Sequence, residues 1–466
     1  MPPHADQILT VAQMRAAEQA LIDAGSSVDA LMQIAGRGAA DWVWRIAAQH
    51  KVTVLCGPGN NGGDGWVIAE ALRERGGAVV VVPAAEPRTD AAKAARALYQ
   101  GEVLAPDAAV QGDVFVDCLF GSGLTRPLSA EHLALLTRLV ASHRLSLAID
   151  LPSGVEADSG ALLNPDLPAF DLTLALGAWK RAHMLMPASA RLGALRLVDI
   201  GVAAVPGTAT LLGRPRIAAP AAEAHKYTRG LLAVVGGAMP GAAVLAATAA
   251  QGAGAGYVKL FTDHGPPAPP DLVIATGKLS EVLTDLRNRA VLVGPGLGRD
   301  ARARERLAVA LADPVPALVD ADALLLIGER TLADRQAPVV ATPHGGELVA
   351  LERAFGCDGQ GAKPERALAL AGASGMVIVA KGPDTVIAAP DGRLVFAPRA
   401  ASWLSVAGTG DVLAGTIASR LACGIEPFQA AGEGVWLQAE AARLAGPAFT
   451  ASGLAARVPD ALAACL

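Results

Sequence analysis

The sequence predicts an α/β protein with two domains, each built on a parallel sheet covered by helices. Short Val, Leu and Ile runs, apolar on both faces, alternate with helical stretches along the chain, which is typical of parallel strands buried between helices. The composition changes at 213–226, "GRPRIAAPAAEAHK", which contains two prolines and scattered charges and has the character of a linker. The length of the chain, 466 residues, allows two or three domains of roughly 150 residues. We therefore place domains at 1–213 and 227–466, joined by a linker at 214–226.

The first domain opens with helices and continues as a strand–helix alternation. Met14, Ala17 and Leu21 recur at helical spacing, and so do the apolar residues between 31 and 35. The buried apolar runs that follow predict strands at 52–56, 79–82, 114–116, 145–149 and 172–176.

The second domain repeats this alternation. Apolar runs predict strands at 231–235, 291–293, 317–319, 339–342 and 376–380, a hairpin of 385–388 with 394–396, and two closing helices that begin near Gly410 and Pro427. Residues 230–258 carry no charge, but their many Gly and Ala residues and Pro240 favour a strand, a turn and a helix from about Gly241 over a membrane span.

Composition and charge exclude several classes of protein. Lys and Arg total 39 against 44 Asp and Glu, a net charge of −5, whereas nucleic-acid binders usually show a basic excess. The first 19 residues lack the apolar region of a signal peptide. Five scattered cysteines are typical of reduced thiols in the cytoplasm and not of a disulfide or zinc framework. We expect a cytoplasmic protein that binds neither nucleic acid nor membrane.

A Gly-rich loop follows the first predicted strand, in "VTVLCGPGNNGGDG" (52–65). Glycines allow the backbone to approach a ligand, and a helix N-terminus favours anions. Gly57, Gly59 and Gly62 match the dinucleotide pattern G-x-G-x-x-G, but the second strand ends in "VVVVPAA" without the acid which that pattern requires. Asn60, Asn61 and Asp64 instead add oxygen ligands, so the loop is more specialised than a tight turn.

Carboxylates end two further strands of this domain. Asp117 precedes a Gly-Ser-Gly turn, and Asp150 lies three residues before Ser153. Carboxyl ends of parallel strands converge on one crevice, so we expect a shared site, although one such Asp alone is more often a turn or helix cap. The oxygen set of Asn61, Asp117 and Ser153 suits a hard cation and not zinc.

These motifs identify a family resemblance for about residues 9 to 210. "GPGNNGGDG", "VDCLFGSGL", "IDLPSG" and "LMQIAGRGA" resemble the NAD(P)H-hydrate epimerase domain. The resemblance implies a Rossmann-like fold, a potassium ion held by Asn61, Asp117 and Ser153, and interconversion of the R and S hydrates of the reduced nicotinamide cofactor. It places at the hydrate site Asn60, Asn61, Gly62, Gly63, Asp64, Gly121, Ser122, Gly123, Leu124, Thr125, Arg126, Pro127 and Asp150. Epimerisation needs a proton at the departing hydroxyl and readdition from the other face, for which one acid/base carboxylate suffices; Asp150 is our candidate.

In the second domain, "SVAGTGDVLAG" (405–415) carries the strongest signal. Gly408, Thr409 and Gly410 precede a predicted helix that begins at Asp411, so backbone N–H groups and the helix dipole face an anion. Asp411 would then be a catalytic base beside a bound phosphate. By default an Asp at a helix start is an N-cap, but the preceding glycines favour the anion site.

Other polar residues follow strands of the second domain. Lys381 comes directly after a buried strand and is a natural phosphate-binding lysine, while His344 and Glu347 follow another strand. A lone loop histidine is more often a hydrogen-bonded structural residue than a catalyst. A Gly-rich turn lies at 294–298, and no P-loop motif is present.

The second domain resembles the ribokinase-like superfamily, and within it the ADP-dependent NAD(P)H-hydrate dehydratases. The resemblance rests on "GGAMPGAA", "GPGLG", "TPHGGE", "KGPDTVI" and "AGTGDVLAG", over about 225 to 445. It implies that nucleotide contacts come from Lys381, Gly382, Pro383, Asp384, Thr385 and Gly410. It implies hydrate contacts from Ala243 (or Ala242), Gly298, His344 and Asp411. The run "PRAASWLSV" replaces an Asn-Pro-containing stretch common in the family.

Both resemblances together imply a bifunctional repair enzyme with ADP as co-substrate, magnesium on the nucleotide phosphates and potassium at the epimerase site; we also expect a homo-oligomer. One rival hypothesis is a ribokinase-like small-molecule kinase fused to a Rossmann-type binding module. Another is a nucleotide sensor without activity, which would need no base at Asp411.

Overall fold

The computed structural model describes residues 4–263 and 265–466. The chain divides into two compact units, Met1–Thr210 and Leu211–Leu466. The sequence-based boundary was 213, and residues 212–230, which include the predicted linker, contain no helix or strand.

The first unit follows the predicted alternation of strands and helices. Its elements are β1 (Gln7–Leu9), α1 (Val11–Asp23), α2 (Val28–Ala47), β2 (Val52–Cys56), α3 (Asn60–Glu74), β3 (Val79–Pro83), α4 (Asp90–Leu98), β4 (Glu102–Val103), β5 (Gly112–Cys118), α5 (Ala130–Ala141), β6 (His143–Ile149), β7 (Leu172–Leu176), β8 (Trp179–Lys180), β9 (Ala194–Val198) and β10 (Ala209–Leu211).

The main sheet of this unit is parallel throughout and has the order β4-β3-β2-β5-β6-β7-β9. Successive residues point to opposite faces: Val54 and Val116 pack in one apolar cluster with α2 and α3, whereas Leu55 and Phe115 pack in another with α5. Burial on both faces explains the continuous apolar runs. From β2 the chain adds strands β3 and β4 on one side of the sheet, and from β5 it adds strands on the other side. Ligands of such folds bind at this change of strand order, beyond the carboxyl ends of the strands.

The second unit contains a second α/β series. Its elements are β11 (Leu231–Val235), α6 (Pro240–Gly252), β12 (Tyr257–Phe261), β13 (Val273–Ala275), α7 (Leu279–Leu283), β14 (Asn288–Val293), α8 (Ala301–Ala312), β15 (Ala317–Val319), α9 (Glu329–Leu332), β16 (Val339–Ala341), α10 (Gly345–Ala354), α11 (Lys363–Ser374), β17 (Val377–Ala380), β18 (Val386–Ala388), β19 (Leu394–Phe396), α12 (Thr409–Ala422), α13 (Pro427–Ala445), α14 (Ala451–Ala455) and α15 (Val458–Ala463).

Strands β13-β12-β11-β14-β15-β16-β17 of this unit are parallel neighbours, and β18 and β19 extend the sheet as an antiparallel hairpin. The uncharged segment is confirmed as strand β11, a turn and helix α6. Strand β12 was not predicted, because Lys259 interrupts its apolar run. The prediction that two helices close the chain was wrong, since the short helices α14 and α15 follow them. Among the described residues, no helix has the length and apolar character needed to cross a membrane.

Helices α6 and α12 approach so closely that only glycine fits at residue 415. A Cβ atom there would overlap the carbonyl oxygen of Ala246. We expect Gly415→Ala to lower the free energy of unfolding by about 1–3 kcal/mol, the usual result of overpacking. Urea unfolding followed by circular dichroism should then show a midpoint at a lower urea concentration. Gly372→Ala is the matched control, because a Cβ on this exposed residue of α11 would meet no described atom within 4 Å. It should gain about 0.5–1 kcal/mol from helix propensity, and an equal response of both variants would contradict the packing argument.

Candidate active sites

A cavity of about 880 Å³ opens in the first unit beyond the carboxyl ends of β2, β5 and β6. It brings together most residues that the sequence predicted for the hydrate site. Those that line it are Asn60, Asn61, Asp64, Gly121, Ser122, Gly123, Leu124, Thr125, Arg126, Pro127 and Asp150. The crevice expected from the strand-end carboxylates is therefore present as a cavity.

Gly62 and Gly63 are not among the residues that line this cavity. A Cβ on Gly62 would overlap the carbonyl oxygen of Gly57, and one on Gly63 would press against the Met32 side chain. Both glycines are needed for the close passage of the loop and of helix α3, which begins at Asn60. The structure thus gives these two residues a packing role.

Asp150 is a buried carboxylate with two partners in the cavity. Its Oδ1 atom lies 2.6 Å from Nζ of Lys180, and its Oδ2 atom accepts a hydrogen bond of 3.0 Å from the Ser122 N–H. Burial raises the pKa of Asp150, but Lys180 and the hydrogen bonds outweigh burial and lower that pKa to about 2. At neutral pH, Asp150 therefore accepts protons and does not carry one to donate.

Two further carboxyl groups line the same cavity, Glu18 on α1 and Asp64 on α3. Burial raises the pKa of Asp64 well above its ordinary value, and Asp150 and Glu18 add to the rise. Burial also raises the pKa of Glu18, opposed by Lys180. The cavity therefore combines an ionised carboxylate with carboxyl groups that hold protons more tightly.

Asp117 and Ser153 lie against one another, completely buried, and are not among the residues that line this cavity. Asp117 accepts hydrogen bonds from the Ser153 N–H at 2.9 Å, the Ser153 hydroxyl at 2.8 Å and the Leu119 N–H at 3.0 Å. Burial raises the pKa of Asp117 to about 6, against these hydrogen bonds. Three hydrogen bonds leave a lone pair of this carboxylate free, because a carboxylate offers about four.

Asn61 carries a buried amide without a hydrogen-bond partner among the described residues. A Cβ built on Gly121 would lie 3.2 Å from Asn61 Oδ1 and 3.1 Å from Asp150 Oδ2. The two oxygens thus face the same narrow space, which is open because residue 121 is glycine. A buried amide oxygen without a partner is unfavourable unless a ligand satisfies it, so Asn61 fits the predicted cation.

In the second unit, Asp411 lies in the first turn of α12 and is not its N-cap. The helix begins at Thr409, and Gly408, with φ of 92°, is the N-cap; the prediction that the helix begins at Asp411 was wrong. Burial and, to a smaller extent, Asp320 raise the pKa of Asp411 to about 7, against the opposing effect of Lys381. Such a pKa suits a base that acts near neutral pH.

Lys381 contacts Asp320, a buried carboxylate that was not predicted, and its charge also acts on Asp411. Its Nζ atom lies 2.6 Å from Asp320 Oδ1 and 3.8 Å from Glu347 Oε2. A Cβ on Gly410 would lie 3.5 Å from the same Nζ atom. Asp320 directly follows strand β15, so the strand-end rule that found Asp117 and Asp150 could also have found it.

The loop from Lys381 to Thr385 is stabilised by hydrogen bonds within the loop and by hydrogen bonds from Lys363 of α11. Nζ of Lys363 donates hydrogen bonds to the Lys381 carbonyl at 3.2 Å and to Asp384 Oδ1 at 2.7 Å. The Gly382 N–H is 3.3 Å from the Thr385 hydroxyl. Pro383 accepts a hydrogen bond from the Ala400 N–H. Asp384 therefore helps to shape the loop, and Lys363 was not predicted.

His344 is the N-cap of α10. Its Nδ1 atom accepts a hydrogen bond of 3.0 Å from the Gly346 N–H, and Glu347 Oε2 accepts one of 2.8 Å from the His344 N–H. The His344 side chain is still 63% exposed. The structure therefore gives His344 a hydrogen-bonded structural role as N-cap, while its Nε2 atom lies 3.4 Å from Glu347 Oε1.

Gly298 and Ala243 differ in how far a ligand could reach them. Gly298 donates a hydrogen bond of 3.0 Å from its N–H to Asp322 Oδ2 and has φ of 84°. The Ala243 side chain is completely buried in the core, so any ligand contact there would involve the backbone or the partly exposed Ala242. Both residues lie in turns or helix starts after parallel strands.

Comparison with known proteins covers both units. One family model, described as NAD(P)H-hydrate dehydratase, matches residues 232–463, and another, described as YjeF-related protein N-terminus, matches residues 28–182. The bifunctional NAD(P)H-hydrate repair enzyme Nnr of Moorella thermoacetica is 34% identical over 451 residues, which cover 86% of this chain and 84% of that protein. The chain belongs to the bifunctional NAD(P)H-hydrate repair enzymes.

Other bifunctional NAD(P)H-hydrate repair enzymes match over nearly their full length. The protein of that name from Mycobacterium leprae is 33% identical to this chain, and the match spans 98% of this chain and 99% of that protein. Among solved structures, the ADP/ATP-dependent NAD(P)H-hydrate dehydratase from Bacillus subtilis, co-crystallised with ATP and Mg²⁺, is 30% identical with a TM-score of 0.48, covering 54% of this chain and 95% of that one.

Proposed function

We propose that this protein repairs hydrated NADH and NADPH in two steps. The first unit interconverts the R and S hydrates, and the second dehydrates the S hydrate with ADP, which yields NAD(P)H, AMP and phosphate. One observation carries the proposal: each unit holds an aspartate near a lysine at the carboxyl edge of its parallel sheet, Asp150 near Lys180 and Asp411 near Lys381. Family membership over the full length supports repair and not the alternative of a kinase fused to a binding module.

In this cavity, different carboxyl groups can serve as the proton donor and the proton acceptor of epimerisation. We assign the donor to Asp64, whose pKa burial raises well above its ordinary value, and the acceptor to Asp150, which Lys180 keeps ionised. Asp64 protonates the departing hydroxyl, and the ring nitrogen lone pair expels water from the carbon. Water then adds from the other face and gives its proton to Asp150. A return transfer from Asp150 to Asp64 restores both groups.

Dehydration proceeds by phosphoryl transfer in the second unit. Asp411 takes the proton of the substrate hydroxyl as its oxygen attacks the β-phosphorus of ADP and AMP departs. The start of α12 and Lys381 hold the transferred phosphate through backbone N–H groups and positive charge. The ring nitrogen then expels phosphate, and loss of a proton from the neighbouring carbon restores the double bond. Bound to the nucleotide, magnesium would neutralise part of the charge on its phosphates.

The test is incubation with mixed NADH hydrate epimers, with and without ADP. The absorbance of reduced nicotinamide should return only with ADP, and both epimers should be consumed. Accumulation of a stable phosphorylated product would instead indicate a kinase. A cytoplasmic location and a homo-oligomeric state remain predictions, to be tested by fractionation and by light scattering.

Potassium belongs to the proposed epimerase site, held by Asn61, Asp117 and Ser153. The Asn61 amide oxygen is buried without a partner, and Asp117 retains an unused lone pair, so these residues fit a cation that prefers oxygen ligands. When bound, the ion supplies a fixed positive charge beside the carboxylates of the cavity. Asn61, Asp117 and Ser153 would then hold it, and Ser153 also donates two hydrogen bonds to the Asp117 carboxylate.

Asp117→Ala should slow epimerisation and reduce the rise in melting temperature that potassium produces. An ion that binds only the folded state stabilises it by about 2.7 kcal/mol at one hundred times its dissociation constant, and the variant should lose most of this gain. Melting curves in potassium chloride and in choline chloride of equal ionic strength measure it. Asp113→Ala, a partly exposed residue of the same strand, is the control. An equal potassium response in Asp117→Ala and the parent would remove Asp117 from the site.

A further inference from the structure

Two side chains from the segment after β7 contact Asp150 but exchange no proton in the proposed mechanism. Lys180 ends strand β8, and His183 ends the 3₁₀ turn Arg181–His183 that follows directly. Both residues are 1% exposed. Asp150 itself has φ of 66°, a backbone conformation that non-glycine residues adopt rarely and that clusters at functional sites.

Lys180 contacts the carboxylate of Asp150. Its Nζ atom lies 2.6 Å from Oδ1 and also donates a hydrogen bond of 2.6 Å to the carbonyl of Leu176. The side chains of Lys180 and Asp150 are 1% and 9% exposed, so water screens their attraction weakly. Removing the ammonium group would leave a buried carboxylate without its counter-charge.

His183 contacts the backbone of the same aspartate. Its Nε2 atom lies 2.8 Å from the Asp150 carbonyl oxygen, and its Nδ1 atom accepts a hydrogen bond of 2.8 Å from the Lys180 N–H. Because Nδ1 accepts, the proton lies on Nε2, which donates to the carbonyl. Burial lowers the pKa of His183 to about 4, and Lys180 contributes, so the imidazole is neutral in the neutral range. The ring thus ties the backbones of residues 150 and 180 together.

Two other carboxyl groups interact with Asp150, Glu18 on α1 and Asp64 on α3. Arg15, Arg126 and His132 also line the cavity. Without Lys180, Asp150 would adjoin two further carboxyl groups, and Arg15 is an exposed side chain at the cavity edge. Nearby carboxyl groups and burial both favour protonation of Asp150. Among the side chains named here, Lys180 is the cation that contacts the carboxylate, at 2.6 Å.

We infer that Lys180 and His183 are a positioning pair for Asp150, in which Lys180 keeps the carboxylate ionised for proton acceptance and His183 holds its backbone in the rare conformation. The inference rests on the proposed epimerase function. It adds two residues that act through Asp150 and do not themselves exchange a proton with the hydrate.

Lys180→Met and Lys180→Gln test the charge, and Gln keeps a hydrogen-bond donor. Buried carboxyls without a partner reach a pKa of about 8–9, which would leave roughly one-tenth to one-hundredth of Asp150 ionised at pH 7. We expect epimerisation at pH 7 to fall about 10- to 100-fold and to recover as the pH is raised, whereas the parent rate should show no such rise. In an Asp150→Asn background, Lys180→Met should cause little further loss. A variant with the parental pH profile would overturn the inference.

His183→Gln and His183→Phe test the backbone contact. Gln can place an N–H donor near the position of Nε2, whereas Phe fills the space without a donor. We expect His183→Gln to stay within a few-fold of the parent and His183→Phe to lose on the order of 10-fold. Equal rates in both variants would remove His183 from the pair.

A measurement on the parent protein keeps the inference testable if a lysine variant does not fold. Carbon-13 NMR of carboxyl-labelled aspartate, with the Asp150 signal assigned by its loss in Asp150→Asn, should show Asp150 ionised from about pH 4 upward. Titration of this signal near neutral pH would contradict the role of Lys180. The NMR titration needs no turnover, so it tests the inference independently of enzyme activity. An inactive parent protein would contradict the proposed function and not the role of Lys180.

Discussion

Asp411→Asn is expected to lower ADP-dependent dehydration of the S hydrate on the order of 10²- to 10⁴-fold, the usual effect of losing a general base. The amide keeps the size of the side chain and cannot take the proton of the substrate hydroxyl. Asp411 is in the first turn of α12, where its backbone hydrogen bonds remain. The loss should therefore appear in turnover and not in folding, measured by the return of reduced-nicotinamide absorbance from purified S hydrate.

The pH dependence of dehydration provides a second test of Asp411. Burial and Asp320 raise its pKa to about 7, and the base must be deprotonated to act. The parental rate should therefore rise with pH through about 7 and level off above it. The residual rate of Asp411→Asn should lack this rise. Epimerisation by the same variant should proceed near the parental rate, because Asp150 lies in the other unit. Dehydration within a few-fold of the parent would refute our mechanism for the second unit.

Asp150→Asn should produce the opposite result. Epimerisation should fall on the order of 10²- to 10⁴-fold, so that the R hydrate reaches product only through its slow spontaneous conversion. Pure S hydrate should still be dehydrated with ADP. The assay follows each epimer by chromatography during incubation with ADP.

Folding must be checked for Asp150→Asn, because the substitution leaves the Lys180 ammonium buried without a charge partner. Breaking one side of a buried pair typically lowers stability by about 3–5 kcal/mol. The double variant Asp150→Asn with Lys180→Met removes both charges and should regain part of that stability while remaining inactive as an epimerase. If the double variant epimerised at the parental rate, Asp150 would not be the base.

Part of each candidate site could be predicted from strand ends. Lys381, Asp117 and Asp150 each directly follow a buried apolar run, and parallel strands bring such positions to one edge. The same rule applies to Asp320 after strand β15, which was overlooked. Lys180 was harder to predict, because it lies four residues after the end of β7. Glu18 lies on a helix far earlier in the chain.

Other roles could not be derived from sequence order. Gly62 and Gly63 belong to the specific Gly-rich motif, yet contacts with Gly57 and Met32 give them a packing role. Ala243 lies beside the turn after β11, but its side chain is turned into the core. The helix of the second site begins at Thr409 and not at Asp411, since a glycine with positive φ can be the N-cap.

By itself, the sequence determined the α/β class, the family and the two aspartates on which the proposed chemistry depends. Apolar runs and glycine motifs are local properties, so they can be read without coordinates. Only the tertiary structure decided the charge of those aspartates. Lys180 lowers the pKa of Asp150 to about 2, whereas burial and Asp320 raise that of Asp411 to about 7. Electrostatic energy depends on the distance between charges and on their burial, and folding brings together partners that are remote in the chain.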